Sequence, residues 1–281
     1  MGDVRRIFDN YYFKGSQLHL RSKDLPEDEV IDTDDIIGVE SVSADKQNIH
    51  IIEKLDTRQW KRKVLKFAFL EQEKHHNLAT EWDTIRGKLM IFRPRRLLVL
   101  ISSLSGSQNG QKRHNHILDI ISTCNLQNID GVVVLGGDGS YSQCANGLLE
   151  RIQKDANIDY NNPDVKVKPT QLPIGHIPTG SLNLLSRLCF GCIDVETAAL
   201  GIIKGKTYDI GIENIYADKK WVRGSLSCIY HGNINEFSVY VENFRWLKAA
   251  RYAVVPLAQK IPGFRREGIH QSTLKDGNKD D

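Results

Sequence analysis

The sequence predicts a multidomain α+β protein: an antiparallel β module closed by one helix, an α/β unit with a doubly wound parallel sheet, and the start of a β-rich second lobe. Three observations predict this order. Short segments with period-two alternation of apolar residues fill the N-terminal third, apolar runs then alternate with helical patterns, and strand-like patterns return after Thr207. The expected domain boundaries are 1–93, 94–208 and 209–281.

The N-terminal segment is predicted to form five short strands and one amphipathic helix. In the helix, Leu78, Trp82, Ile85 and Leu89 recur at helical spacing. Many short strands followed by one helix resemble a pleckstrin-homology domain, a small β-barrel whose C-terminal helix plugs one end and typically carries a tryptophan where Trp82 stands. The predicted strands are FDNYYF, SQLHL, DIIGVESV, NIHIIEK and KVLKFAFLEQ.

After Pro94 the pattern changes to alternating strands and helices. The runs RRLLVLIS, DGVVVLGG and LPIGHIPTG have the apolar character of strands buried on both faces. In parallel sheets, ligands bind at the carboxyl ends of the strands. The helices between and after the runs are KRHNHILDIISTC, SYSQCANGLLERIQK and SLNLLSRLC; the second lobe is expected to begin with the antiparallel strands TYDIGIENIY and WVRGSLSCIYHG.

Two glycine-rich turns fall at these strand ends. Gly136, Gly137 and Gly139 separate an apolar strand from a helix, so backbone N–H groups can converge on a phosphate while the helix N-terminus adds partial positive charge. A carboxylate is electrostatically costly in such a cradle. We therefore expect Asp138 to have a chemical role, such as accepting a proton from a hydroxyl or holding Mg²⁺.

A purely structural interpretation of the first turn is also available. It would be a tight strand-to-helix turn in which Asp138 or Ser140 caps the helix, and spacing alone does not decide between the two interpretations. The second turn, PTGSLNLL, repeats the arrangement with Gly180 and Ser181 at a helix start, which favours phosphate binding.

These motifs resemble those of the diacylglycerol kinase catalytic domain, which sphingosine and ceramide kinases share. GGDGS after VVVL and IPTGSLN after an apolar strand carry the likeness, and the continuations DVETAALGIIKG and FRWLKAARY are similar to the ceramide kinase branch. That branch also has a pleckstrin-homology-type domain in front. The resemblance implies ATP-dependent phosphorylation of a lipid hydroxyl with Mg²⁺, ceramide being the expected acceptor.

The resemblance also implies roles for individual residues. Asp138 would deprotonate the lipid alcohol, and Asp194 would recognise the lipid head group. For Asp194 the competing interpretation, a helix N-cap with Glu196 in the first turn, is slightly favoured. The Mg²⁺ ligands are not identified. The residues implied to hold the nucleotide are Gly106, Gly136, Gly137, Gly139, Ser140, Gly180, Ser181 and Asn183.

Three departures from the family pattern bear on activity. Ser102 and Ser103 stand where Asn and Pro are usual, so the first turn retains only glycines such as Gly106 as phosphate contacts. The segment between Ser102 and Val132 is too short for the additional strand that the family places there, and the residues after Tyr208 are fewer than its second lobe needs. The altered first turn and the short second lobe favour an alternative, a catalytically impaired relative that binds lipid or nucleotide as a regulator, whereas the intact GGDGS and IPTGSLN motifs favour the kinase.

Charge and cysteine content indicate which partners and which cellular compartment to expect. A formal net charge of +3 is too small to predict a nucleic-acid partner, and five cysteines without framework spacing indicate a reducing compartment. We expect a cytoplasmic protein that associates peripherally with membranes. The cations around Trp60, which are Arg58, Lys61, Arg62, Lys63 and Lys66, suit either an anionic membrane surface or a solvated strand face.

Overall fold

The computed structural model describes residues 10–22, 26–43, 46–68, 83–84, 87, 93–102 and 116–226 and the single positions 241, 244, 250, 251 and 254. Within these residues the chain forms four sheets. Two antiparallel sheets come first, a parallel sheet follows, and a two-stranded hairpin comes last.

The N-terminal region contains two antiparallel sheets of three strands each. The first joins β1 (Asn10–Lys14), β2 (Gln17–Arg21) and β3 (Glu29–Asp32). A short 3₁₀ turn leads to the second, which joins β4 (Ile36–Ser43), β5 (Lys46–Lys54) and β6 (Trp60–Ala68). Period-two alternation sends one side of each strand into a shared core, formed by Leu18, Leu20, Ile31, Ile36, Ile49, Ile51 and Leu65.

The central sheet is parallel, with strand order β7-β8-β9. Its strands are β7 (Leu97–Ile101), β8 (Gly131–Gly136) and β9 (Ile174–Pro178). The central strand β8 has a neighbour on each side, and its first four residues are buried, which explains its continuous apolar run.

Helices pack on both faces of this sheet. On one face α1 (His116–Thr123) and α2 (Asp138–Asp155) bury Ile121 and Leu148 against Val132 and Val134. On the other face α4 (Val195–Lys204) places Ile202 against Gly175, where a Cβ would meet the isoleucine side chain at 2.8 Å. The small helix α3 (Leu184–Phe190) connects β9 to α4.

The hairpin of β10 (Glu213–Ala217) and β11 (Lys220–Ser225) begins the region after the parallel sheet. Asn146, buried within α2, holds it: the Asn146 Oδ1 accepts from the Gly224 N–H at 2.6 Å, and its Nδ2 donates to the Gly224 carbonyl at 3.0 Å. The hairpin is therefore anchored to the helix that follows the first glycine turn.

The predicted order of antiparallel strands, parallel sheet and antiparallel hairpin is confirmed in these residues. The sequence pattern missed β3, a four-residue strand among acidic residues. Two three-stranded sheets are present, and the pleckstrin-homology-like barrel stays a prediction. The predicted closing helix lies mostly outside the described residues. Three of its positions are described, Asp83, Thr84 and Gly87, and all three are helical.

Candidate nucleotide and lipid site

The first glycine turn joins the end of β8 to the start of α2. Gly137 is the N-cap residue of α2, with extended φ and ψ of −96° and −176°, and its carbonyl accepts from the N–H groups of Ser140 and Tyr141. No side chain caps this helix. The alternative in which Asp138 or Ser140 caps α2 is therefore wrong, because both belong to the helix itself.

The second turn is closed by a single buried side chain. Asn183 is only 3% exposed and adopts the left-handed conformation, with φ at 49°. Its Oδ1 accepts from the Gly180 N–H and its Nδ2 donates to the Gly180 carbonyl, both at 2.9 Å. Asn183 thus gives the turn its shape. Its predicted contact with nucleotide stays a prediction.

The two turns touch through their glycines. A Cβ built on Gly137 would lie 3.2 Å from the Gly180 Cα, and a Cβ on Gly180 would overlap the Gly137 Cα. The Thr179 N–H also donates to the Gly136 carbonyl at 3.0 Å. Both glycines are therefore required by the close approach of two backbones, and the turns form one continuous surface.

Asp138 lies between the two turns. It is the first residue of α2, and its Oδ1 accepts from the Leu185 N–H in the first turn of α3 at 3.2 Å. The partial positive charge at the start of α2 stabilises a carboxylate in this position. The second turn and the candidate base are thus in direct contact.

A buried histidine in β9 forms hydrogen bonds to residues next to both turns. His176 in β9 has its Nε2 3.0 Å from the Gly136 carbonyl and its Nδ1 3.0 Å from the Ser186 hydroxyl of α3. A carbonyl only accepts, so Nε2 carries the proton, and the hydroxyl donates to Nδ1. Burial lowers the pKa of His176, although the Gly136 hydrogen bond and Asp138 act in the opposite direction, so the ring is neutral near pH 7.

The two turns expose part of their backbone, and a buried cation lies beside the second turn. Gly139 and Ser181 are exposed, and a Cβ on Gly139 would meet no atom within 4 Å. The Arg251 guanidinium, 6% exposed as a residue, donates through Nη2 to the Ser181 Oγ at 3.0 Å. The second turn therefore has a positive charge beside it, and the first turn, which it touches, has a helix N-terminus and exposed glycine backbone; these features suit phosphate.

Asp194 lies at the start of the next helix, α4, and caps it. Its Oδ2 accepts from the Thr197 N–H at 2.8 Å and from the Thr197 hydroxyl at 2.7 Å. The N-cap interpretation is confirmed. Head-group recognition by Asp194 stays a prediction, because one residue can both cap a helix and present its carboxylate to a ligand.

One predicted nucleotide contact has no structural account. Gly106 lies outside the described residues, as does the rest of the segment 103–115. In the described part of the chain, no cluster of three or more His, Cys, Asp or Glu side chains could hold a metal ion, and no helix is long and apolar enough to cross a bilayer.

Sequence reasoning missed three residues of this site. His176 had a faint signal, as the one strongly polar side chain in the strand LPIGHIPTG. Ser186 lies in the predicted helix SLNLLSRLC and Arg251 in the segment FRWLKAARY, but nothing in the sequence indicated their contacts, because their partners lie 10 and 70 residues away in the chain. Only folding shows such contacts.

Comparison with known proteins agrees with this geometry. Residues 103–215 match the family model described as the diacylglycerol kinase catalytic domain. The chain is 29% identical to human ceramide kinase (Homo sapiens) over 230 residues, which cover 73% of this chain and 42% of the relative. It is 28% identical to the human ceramide kinase-like protein over 192 residues, covering 59% and 34% of the two chains.

A plant relative is similar to this chain over a comparable fraction of its length. Sphingosine kinase 1 of Arabidopsis thaliana is 25% identical over 198 residues, 60% of this chain and 38% of the relative. The chain therefore spans about two fifths or less of the length of these relatives. Both glycine turns lie inside residues 103–215, which match the diacylglycerol kinase catalytic domain, and the chain is similar in sequence to ceramide and sphingosine kinases.

Proposed function

We propose that the protein is an ATP-dependent lipid kinase that phosphorylates a hydroxyl group of a sphingolipid, ceramide in the first instance. One observation carries the proposal: two glycine turns in backbone contact, with the Asp138 carboxylate between them. The names of the relatives, which include ceramide and sphingosine kinases, support the substrate class.

In this proposal the nucleotide triphosphate lies along the two turns. The N-terminus of α2, the exposed backbone at Gly139 and the Ser181–Arg251 pair would neutralise phosphate charge. Gly136, Gly137 and Gly180 allow the close backbone approach that forms this surface. Ser140 belongs to the same first helical turn.

Mg²⁺ fits this site as an ion bound mainly by the nucleotide. Because the described residues supply a single carboxylate at the turns, the phosphates and water would provide most of its ligands, as is usual for Mg²⁺ in phosphoryl transfer. When bound, the ion neutralises charge on the transferring phosphoryl group.

Asp138 would act on the acceptor. Its carboxylate accepts the proton of the lipid hydroxyl while the hydroxyl oxygen bonds to the γ-phosphorus and the bond to ADP breaks. The Leu185 N–H orients the carboxylate, since it holds Oδ1 and leaves Oδ2 for the proton. Asp194 would contribute to head-group binding from the start of α4.

The N-terminal sheets would bring the enzyme to its substrate. Arg58, Lys61, Arg62 and Lys66 are exposed on and beside β6, and each cation near an anionic membrane surface adds about 1 kcal/mol of attraction. The protein would then act in the cytoplasm, bound peripherally to a membrane.

A phosphotransfer assay with Asp138→Asn tests the proposal. Labelled ATP, Mg²⁺ and micelles containing ceramide, sphingosine or diacylglycerol should give a phospholipid with wild-type protein. The asparagine variant can still accept from the Leu185 N–H but is a poor base, so we expect a loss of about 10²–10⁴-fold in kcat with ATP binding retained.

The second candidate function is a catalytically impaired lipid- or nucleotide-binding regulator. Ser102 favours it, because this residue stands at the end of the first strand, where the family usually has an Asn-Pro pair. The same assay separates the two. If wild-type protein binds ATP and ceramide micelles but yields no phospholipid, the regulator is the correct assignment. If it binds no ATP at all, the nucleotide site itself is refuted.

A further inference from the structure

The contact between His176 and Gly136 has a geometric consequence for the first turn. The Gly136 carbonyl belongs to the same planar peptide unit as the Gly137 N–H, and in a trans peptide the two point in opposite directions. Whatever holds that carbonyl therefore also sets the direction of the Gly137 N–H. The Gly137 nitrogen lies beside Gly180, where a Cβ on Gly180 would be 3.2 Å away.

Two donors hold the carbonyl, and they differ in origin. The Thr179 N–H, at 3.0 Å, comes from the second turn itself and moves with it. The His176 Nε2–H, also at 3.0 Å, comes from the buried sheet, because His176 is 4% exposed within β9. The histidine is thus the donor that ties the turn to the rigid part of the domain.

The imidazole is itself held on two sides. Ser186 of α3, 1% exposed, donates to Nδ1. The Tyr141 ring, in the first turn of α2, packs against it with centroids 5.3 Å apart. One side chain therefore contacts β8, α2 and α3, the elements that carry both glycine turns.

We propose that His176 is a positioning residue for the nucleotide site: its Nε2–H fixes the Gly136–Gly137 peptide so that the Gly137 N–H faces the bound phosphates. This inference rests on the proposed nucleotide function and deepens it. His176 does not touch substrate. It acts through the backbone, and Ser186 acts through His176 by selecting the tautomer that carries the proton on Nε2.

Two amide substitutions separate the two hydrogen bonds of the ring. In His176→Gln the side-chain amide reaches the place of Nε2 and can donate to Gly136, whereas in His176→Asn the shorter side chain reaches the place of Nδ1 and can accept from Ser186. Each variant keeps one hydrogen bond and loses the other. Their costs to folding should therefore be similar.

Calorimetric titration with ATP and Mg²⁺ is the measurement, with thermal unfolding in parallel. We expect His176→Asn to bind ATP about tenfold more weakly than wild type, and His176→Gln to bind within about twofold of it. Gln153→Leu is the matched control. Gln153 is as buried as His176 and bonds the Lys168 backbone at the far end of α2, so its loss should lower the unfolding temperature and leave ATP affinity unchanged.

The outcomes distinguish this inference from the function on which it rests. The positioning role is overturned, and His176 is only structural, if wild type binds ATP and His176→Asn and His176→Gln bind it with the same affinity. It is also overturned if Gln153→Leu weakens ATP binding as much as His176→Asn does. If wild-type protein itself binds no ATP, the nucleotide site fails and the positioning role fails with it.

Discussion

Asp138 occupies a place where two helix starts meet. It begins α2 and accepts from the Leu185 N–H of α3, so partial positive charges from both helices reach its carboxylate. A carboxylate in a phosphate cradle would otherwise repel its ligand. In the proposed nucleotide complex the surrounding N–H groups would offset that repulsion, so an acid could lie within reach of the triphosphate.

Gly180 and Gly139 differ in what an added methyl group would meet. In Gly180→Ala the Cβ overlaps the Gly137 backbone, so the turns must separate, and we expect a loss of about 1–3 kcal/mol in unfolding free energy together with loss of ATP binding. Urea unfolding and ATP titration measure both effects.

Gly139→Ala is the control at the same turn. Its Cβ points into open space and alanine favours helix, so stability should be unchanged or slightly higher. If nucleotide approaches the backbone at this point, ATP affinity should nevertheless fall. Wild-type affinity in Gly139→Ala would show that phosphate does not come close here, and wild-type stability in Gly180→Ala would contradict the contact between the turns.

At the scale of elements, the two short helices after β9 carry the lipid side of the proposal. α3 begins beside Asp138, and α4 begins at Asp194. The cap on α4 is a carboxylate, although an uncharged side chain of the same shape would cap equally well. The helix dipole also favours a negative charge at this end of α4, so the charge of Asp194 does not by itself distinguish capping from head-group binding.

Substitution of Asp194 separates capping from head-group binding. Asn is as good an N-cap as Asp, so Asp194→Asn should keep the stability of wild type, while Asp194→Ala should lose about 1 kcal/mol. If the charge binds the lipid head group, Asp194→Asn should raise the KM for lipid about tenfold with the KM for ATP unchanged. An unchanged lipid KM in Asp194→Asn would leave only the capping role.

The elements were predictable where a pattern is local. The apolar run of β8 and the helical periodicity of α2 predicted both elements and the turn between them. Because parallel strands present their carboxyl ends at one edge, the proximity of the two glycine turns was also predictable. The contacts of His176, Ser186 and Arg251 were not, since they join residues distant in sequence and depend on how side chains pack.

At the scale of the whole molecule, the N-terminal sheets are joined to the kinase-like unit through β6 and α4. The Thr197 hydroxyl accepts from the Trp60 N–H at 3.0 Å and lies 3.2 Å from the Trp60 carbonyl, and Glu196 accepts from the Arg62 N–H at 2.8 Å. These hydrogen bonds join β6 and the start of α4 into one unit.

A buried ion pair strengthens the same junction. Lys204 at the end of α4 is only 6% exposed as a side chain; its Nζ lies 2.7 Å from Asp35 Oδ1 and 5.6 Å from the centroid of the Trp60 ring. Lys54 approaches the other Asp35 oxygen at 2.6 Å. Burial acts to raise the pKa of Asp35, but the hydrogen bonds from Lys204 and Lys54 outweigh it, and the pKa lies below its ordinary value.

Because the folded-state pKa of Asp35 is lowered, the pair stabilises the fold above the ordinary pKa of an aspartate, and this stability is lost as pH falls through the lowered value. Lys204→Met keeps the apolar stem and removes the charge, so we expect a loss of about 2 kcal/mol near pH 7. The loss should be smaller at an acid pH below the ordinary pKa of an aspartate, because Asp35 is increasingly protonated as the pH falls through its lowered pKa and the pair then loses its attraction. Lys154→Met, which removes a solvent-exposed partner of Glu150, is the control and should cost at most about 0.5 kcal/mol at either pH. Urea unfolding of the three proteins at both pH values measures these differences, and equal costs for the two lysine variants near pH 7 would show that the Asp35–Lys204 pair does not hold the N-terminal sheets to α4.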